Sequence, residues 1–207
     1  MTVFHFIRHG ETEWNVARRI QGQTDSPLTP LGQAQCEALA ERVAQSKDKP
    51  DVLVASDLGR TQASMGFVAD KLSLPVTLEE KFREIHFGIW EGELWDEMKV
   101  REPGLIGKWR SFDLDAKIPE GESRREVFER VQTATINLAA THPDSHVMIV
   151  THGGVIQILM RWILGLPIDT QFRFFPHNTC VNTAEYTAGE WRSVCWGDVA
   201  HLQVFSP

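Results

Sequence analysis

Val3-Phe4-His5-Phe6-Ile7-Arg8-His9-Gly10 is a short β-prone run that stops on three residues suited to a loop. It predicts a first strand over 3–7 that feeds a turn at Arg8-His9-Gly10. Residues 51–55 (DVLVA) form a continuous apolar run, the pattern of a strand buried on both faces. They lead into Ser56-Asp57, read as the cap of a helix with Met65, Val68, Ala69 and Leu72 on one face. Residues 147–151 are a third such strand, ending at His152-Gly153-Gly154. The apolar stretch 155–164 that follows predicts a buried helix.

Further elements fill the intervals. Thr29-Pro30 has the form of an N-cap with proline at the first helical position. Residues 75–78 suggest a short strand. Ser123-Arg124-Arg125-Glu126 is a capping-box pattern that opens a helix to about Ala140. Residues 181–186 and 192–196, around Ala188-Gly189, predict a hairpin. Residues 87–119 hold Trp90, Trp95, Trp109 and Phe112 among charges and glycines with no clean period. They read as an insertion of one short helix and loops, lying over the body as a cap.

Alternating strands and helices predict a three-layer α/β/α sandwich with a mainly parallel central sheet. No linker or repeat divides the chain, so residues 1–207 read as one domain with the cap at about 87–119. Ligands of such sheets bind at the carboxyl ends of the strands. Arg8-His9-Gly10, Ser56-Asp57 with Arg60, and Thr151-His152-Gly153 all fall there, so three polar clusters should meet on one edge.

Two histidines and two arginines around one point suit phosphoryl transfer. The transferred group spreads negative charge over three oxygens, and fixed cations stabilise it. A neutral imidazole nitrogen can attack phosphorus. Arg8 and Arg60 would grip the oxygens and His152 would add a donor, while Gly10 would let a ligand approach the backbone. A metal site is the chemical rival, since His5 and His9 share a strand face with Glu11 close by. Arg8 between them brings like charge and disfavours it.

Composition excludes other classes. The chain has 42% hydrophobic and 24% charged residues, as folded globular proteins do. A net charge of -7 argues against a broad nucleic-acid or anionic-membrane surface. Cys36, Cys180 and Cys195 form neither a disulfide framework nor a zinc ladder, and no apolar run is long enough to span a bilayer. A cytoplasmic location is the simplest expectation.

The blocks at 6–15, 19–29, 56–61, 83–92, 121–123 and 151–154 together resemble the histidine phosphatase superfamily, in its phosphoglycerate mutase-like branch. They stand in family order and cover most of the chain. The likeness is greatest to the short bacterial members labelled as phosphoglycerate mutases or broad-specificity phosphatases. The resemblance implies that His9 is the nucleophile that becomes phosphorylated, with Arg8, Arg60 and His152 as the phosphate-binding group. It implies that Asn15, Gln21, Gly22 and Gly153 line the substrate side and that Glu84 is the proton donor. It calls for no metal and no cofactor.

Only 36 residues separate Glu84 from Gly121, and the chain stops soon after His201-Leu202 with no basic tail. Mutases of the family carry a longer insertion and a tail over the site. A mutase must keep water off its phosphohistidine, so a short cap favours a phosphatase acting on a small phosphorylated metabolite. The alternative is a mutase that depends on 2,3-bisphosphoglycerate. A scaffold that has lost the chemistry would lack the nucleophile, the acid or the clamp, and all are present. The cap aromatics would either line a vestibule or pack the insertion down. The β-prone stretch 181–196 offers an edge on which a second copy could pair as a homodimer.

Overall fold

The computed structural model describes residues 1–171 and 174–205, with backbone alone for 203–205. Its six strands are β1 (Thr2–Arg8), β2 (Val52–Ala55), β3 (Val76–Leu78), β4 (His146–Thr151), β5 (Val181–Thr187) and β6 (Glu190–Asp198). They form one sheet in the order β3-β2-β4-β1-β5-β6. The pairs β3-β2, β2-β4 and β4-β1 are parallel, and β5 and β6 add an antiparallel margin.

The helices are α1 (Glu13–Val16), α2 (Pro30–Gln45), α3 (Gly59–Leu72), α4 (Trp95–Arg101), α5 (Pro103–Arg110), α6 (Arg124–Thr141) and α7 (Gly153–Ile163). Alternation along the strands places them. Val147 and Ile149 of β4, with Phe4 and Phe6 of β1, join a core that includes Val127, Val131, Ile156 and Leu159 of α6 and α7. Met148 and Val150, with Ile7 of β1, face Leu39, Val43, Met65 and Val68 of α2 and α3. Both faces of the sheet are covered, and three layers result.

The capping box forms: Ser123 N–H donates to Glu126 Oε2 at 2.7 Å and Glu126 N–H to Ser123 Oγ at 3.3 Å. Thr29 caps α2 through Gly32 N–H at 2.9 Å. The hairpin turns at Ala188 and Gly189, both with positive φ (51° and 92°), as a tight right-twisted turn requires.

Two readings of the sequence are corrected. Ser56 and Asp57 do not cap α3. Its N-cap is Leu58, without a side-chain bond, and Asp25 supplies the cap by accepting Gly59 N–H at 2.6 Å and Arg60 N–H at 3.3 Å. Segment 87–119 holds two short helices, α4 and α5, rather than one. Trp90 and Trp109 are buried in the main core, and Phe87 stacks edge-on to both Trp95 and Trp109. These tryptophans pack the segment onto the body instead of lining a vestibule. Among the described residues no helix is long and apolar enough to cross a membrane.

Candidate active site

β4 follows β1, β2 and β3 in the chain, yet it lies between β1 and β2. This switch in strand order opens a crevice at the carboxyl ends. The parallel register pairs Arg8 with Thr151, so the next residues, His9 and His152, leave the sheet side by side. His9 N–H donates to the Thr151 carbonyl at 3.0 Å, and the two imidazole rings lie 5.4 Å apart. β2 ends in register with Val150, and Ser56 N–H donates to that carbonyl at 3.0 Å, which delivers Ser56 to the same edge.

His9 is buried, and its Nδ1 lies 2.7 Å from the Gly10 carbonyl. A carbonyl only accepts, so Nδ1 carries the proton and Nε2 keeps its lone pair. Burial, then the charges of Arg60 and Arg8, hold the imidazole pKa well below its ordinary value. The ring is therefore neutral at pH 7, as a nucleophile must be. Gly10 serves packing: a Cβ there would meet Cys36 Sγ and the Gly32 carbonyl of α2, each at 2.7 Å.

Arg60 spends its terminal nitrogens on the protein. Nη1 donates to the Thr24 carbonyl and to Asp25 Oδ1, both at 2.9 Å, and Nη2 to the Gly22 carbonyl at 2.6 Å. Nη2 also lies 3.1 Å from His152 Nδ1, which must accept, leaving His152 Nε2–H to donate to Ser56 Oγ at 3.0 Å. Both ring nitrogens of His152 are thus engaged, and burial followed by Arg60 lowers its pKa far below the usual value. Arg8 donates from Nη1 to the Pro176 carbonyl at 2.8 Å. The Nε–H of Arg8 and that of Arg60 are both buried and both without a partner. Buried donors are almost always satisfied, so two idle ones beside the two histidines mark the place for an anion.

Glu84 sits across from them, and its charge acts on both arginines. Its Oε1 accepts Ile85 N–H at 2.9 Å, and its Oε2 accepts Gly154 N–H at 3.1 Å in the first turn of α7. Gly153 lies against Arg8: a Cβ there would stand 3.5 Å from Arg8 Nε, in ordinary contact. Gly22 takes φ of 55° and its missing side chain makes room for Glu91. Asn15 accepts Thr12 N–H through its amide oxygen at 3.2 Å, and the same oxygen accepts from Asn178 at 3.3 Å. Gln21 is buried, with Oε1 unpartnered. The structure therefore gathers Arg8, His9, Arg60, His152, Gly153, Gly22 and Glu84, joins Asn15 to the cluster through Asn178, and shows no side-chain contact from Gln21 to it.

His5 does not join His9. It bonds Thr183 Oγ1 at 3.1 Å and His146 Nδ1 at 3.3 Å. A cleft of about 610 Å³ opens beside Arg60, lined by Asp25, Leu28, Gln33 and Phe67, but His9 does not border it. The chemistry lies with the histidines.

Sequence reasoning missed the supports. Asn178 holds the His9 carbonyl at 2.9 Å. Glu91 accepts N–H bonds from Gln23 and Thr24 at 2.9 Å and Phe87 at 3.0 Å, tying the loop around Gly22 to the cap. Arg130 donates to the Glu84 carbonyl at 3.0 Å and to Glu122, and so fixes the acid's backbone. Glu91 and Glu122 lie in quoted blocks, but nothing local marks Asn178 or Arg130.

The sequence pattern of the histidine phosphatase superfamily (branch 1) matches residues 4–199. The chain belongs to that superfamily. Among its relatives, the "Probable phosphoglycerate mutase GpmB" of Enterobacter sp. (strain 638) is 35% identical over 98% of this chain and 95% of its own. The protein of the same name from Cronobacter sakazakii is 36% identical over the same shares. Among solved structures, Bacillus stearothermophilus YhfR superposes with a TM-score of 0.91 at 32% identity, over 98% of this chain and all of its own. A mycobacterial glucosyl-3-phosphoglycerate phosphatase in complex with VO3 gives 0.86 at 30%, covering 94% of this chain and 98% of that one. This histidine phosphatase is an enzyme of phosphate esters, a hydrolase or a mutase.

Proposed function

We propose that the enzyme is a metal-independent phosphomonoesterase that works through a phosphohistidine on His9. One observation carries the reading: a neutral His9 with Nδ1 tied to Gly10 and Nε2 free, beside the idle Nε–H groups of Arg8 and Arg60. His9 Nε2 attacks phosphorus while the P–O bond to the leaving group breaks. Glu84 serves as the acid that gives a proton to the departing alkoxide. The carboxylate then takes a proton from water, whose oxygen attacks phosphorus, and inorganic phosphate leaves with Glu84 reprotonated. Arg8 and Arg60 hold the charge that builds on the equatorial oxygens. His152 keeps Arg60 in place, and Asn15, Gln21, Gly22 and Gly153 border the leaving group.

The partner in this reading is a small phosphorylated metabolite. Three free cysteines fit a reducing cytosol. The short cap and the likeness to a named phosphatase favour hydrolysis over mutation. The mutase reading rests on the name that relatives at 34–36% identity carry.

The test is phosphate release from p-nitrophenyl phosphate with chelator present. Wild type should turn over, His9→Ala should be inert, and Glu84→Gln should lose about 10²-fold or more in kcat on an alkyl phosphate, whose leaving group needs the proton. Activity surviving in His9→Ala overturns the covalent route. Interconversion of 2- and 3-phosphoglycerate that outruns phosphate release, with 2,3-bisphosphoglycerate as primer, would establish the mutase.

A further inference from the structure

Two arginines outside the His9 cluster are buried without a counter-ion among the described residues. Arg124 opens α6 and is 6% exposed; Arg161, two turns into α7, is 1% exposed. Arg161 donates from Nε to the Thr170 carbonyl at 2.9 Å and from Nη1 to the Gln157 carbonyl at 2.7 Å. Its Nη2 is buried with no partner, and so is Nη1 of Arg124. Among the described residues no carboxylate forms an ion pair with either. Asp113 acts on Arg124 only at a distance, and burial together with the like charge of Arg161 holds the Arg124 pKa down at about 9. Charges taken out of water and left unpaired are costly, so such a pair asks for a reason.

Both guanidinium groups approach Phe112. Its ring centre is 4.3 Å from the guanidinium carbon of Arg124 and 4.1 Å from that of Arg161. Arg124 also lies 3.7 Å over Trp109. An aromatic face is weakly negative and is only a partial counter-charge. Phe112 adopts φ of 60°, a conformation that an aromatic residue holds only under constraint from its surroundings. Two planar forks with idle N–H groups, sharing one aromatic face, carry donors suited to an oxyanion.

The position connects the pair to the site. Gly154, Gln157 and Arg161 share one face of α7, and Gly154 N–H holds Glu84. Arg161 lies seven residues, about 10 Å of helix axis, beyond Gly154, and its Nη1 turns back to the Gln157 carbonyl.

We infer that Arg124 and Arg161 form a subsite for a second oxyanion of the substrate, a carboxylate or phosphate borne by the leaving group. The inference rests on the phosphomonoesterase reading and adds a substrate class to it.

The experiment compares kcat/KM for ω-carboxyalkyl phosphates of increasing length with the plain alkyl phosphates of the same length. Wild type should prefer the carboxylated ester by about tenfold or more at one intermediate length, the worth of a charge-assisted bond. Arg161→Met and Arg124→Met should each collapse that ratio towards one. Thermal melts report whether the variants fold, and if they do not, the wild-type length profile decides. A ratio flat across all lengths overturns the subsite. Thermal stabilisation of wild type by free butyrate, lost in Arg161→Met, together with a flat ratio would give the pair to a separate anion and overturn the placement on substrate. Release of phosphate from no ester at all would overturn the phosphomonoesterase itself.

Discussion

A methyl group at position 154 would strike Glu84 Oε1 and come within 2.8 Å of Ile85 Cδ1. Gly154→Ala should therefore displace the acid while leaving His9 untouched. We expect a fall of about tenfold or more in kcat for alkyl phosphates, whose leaving group needs a proton, and a smaller fall for p-nitrophenyl phosphate, whose leaving group does not. Equal losses on both would remove Glu84 from leaving-group protonation. At this scale the sequence was legible where a residue type has one chemical use in its setting. His9, Arg8 and Arg60 could be picked from their strand-end positions. Ser56 and Asp57 could not be read correctly. A Ser-Asp pair before a helix is a cap by pattern, but here Ser56 Oγ accepts from His152, and Asp57 pairs with Arg83 at 2.6 Å from Nε. Both partners are distant in the chain, and local pattern carries no trace of them.

Among the elements, α3 depends on a cap that lies 34 residues upstream in the sequence, Asp25 to Gly59. The same carboxylate pairs with the buried Arg60. Asp25→Ala should lower stability by about 1–2 kcal/mol, read from urea midpoints, while Asp25→Asn should retain most of it because asparagine caps equally well. If Asp25→Asn is as damaging as Asp25→Ala, the charge on Arg60 matters more than the cap. The core strands were legible because a strand covered on both faces must be apolar throughout, as 52–55 and 147–150 are. The α6 boundary was legible because its capping box is local. Helices α4 and α5 were not, since each has seven or eight residues and packs by single large side chains such as Met98 and Trp109 rather than by a repeating stripe.

Over the whole molecule, four histidines are held neutral by burial. His5 and His201 are lowered to about 4, and His9 and His152 lie well below the ordinary value. In the unfolded chain they titrate near 6.5, about the value of a free histidine. Between those limits the unfolded chain binds protons that the folded chain refuses. This part of the stability is therefore complete above about pH 6.5 and is lost as pH falls from there. Urea midpoints should drop steadily from pH 7 to pH 5, and a flat profile would show that these histidines protonate in the folded state. The layered architecture was legible from the alternation of strands and helices. The meeting of polar clusters on one edge followed from the rule for parallel sheets, whereas the order of strands that makes them meet did not, because pairing across the sheet leaves no local mark.

That order has a practical side. β4 is the last parallel strand to be synthesised and the one that separates β1 from β2, and an exposed turn at Pro143 and Asp144 leads into it. Every member of the cluster except His152 and the glycines beside it comes before that turn. A chain cut there yields two inert pieces, one with the nucleophile and one with its companion histidine and the middle of the sheet. Colour from a chromogenic ester would then appear only when the pieces reunite, so the molecule is laid out as a split reporter whose signal is the return of β4, with β5 and β6, to either side of β1.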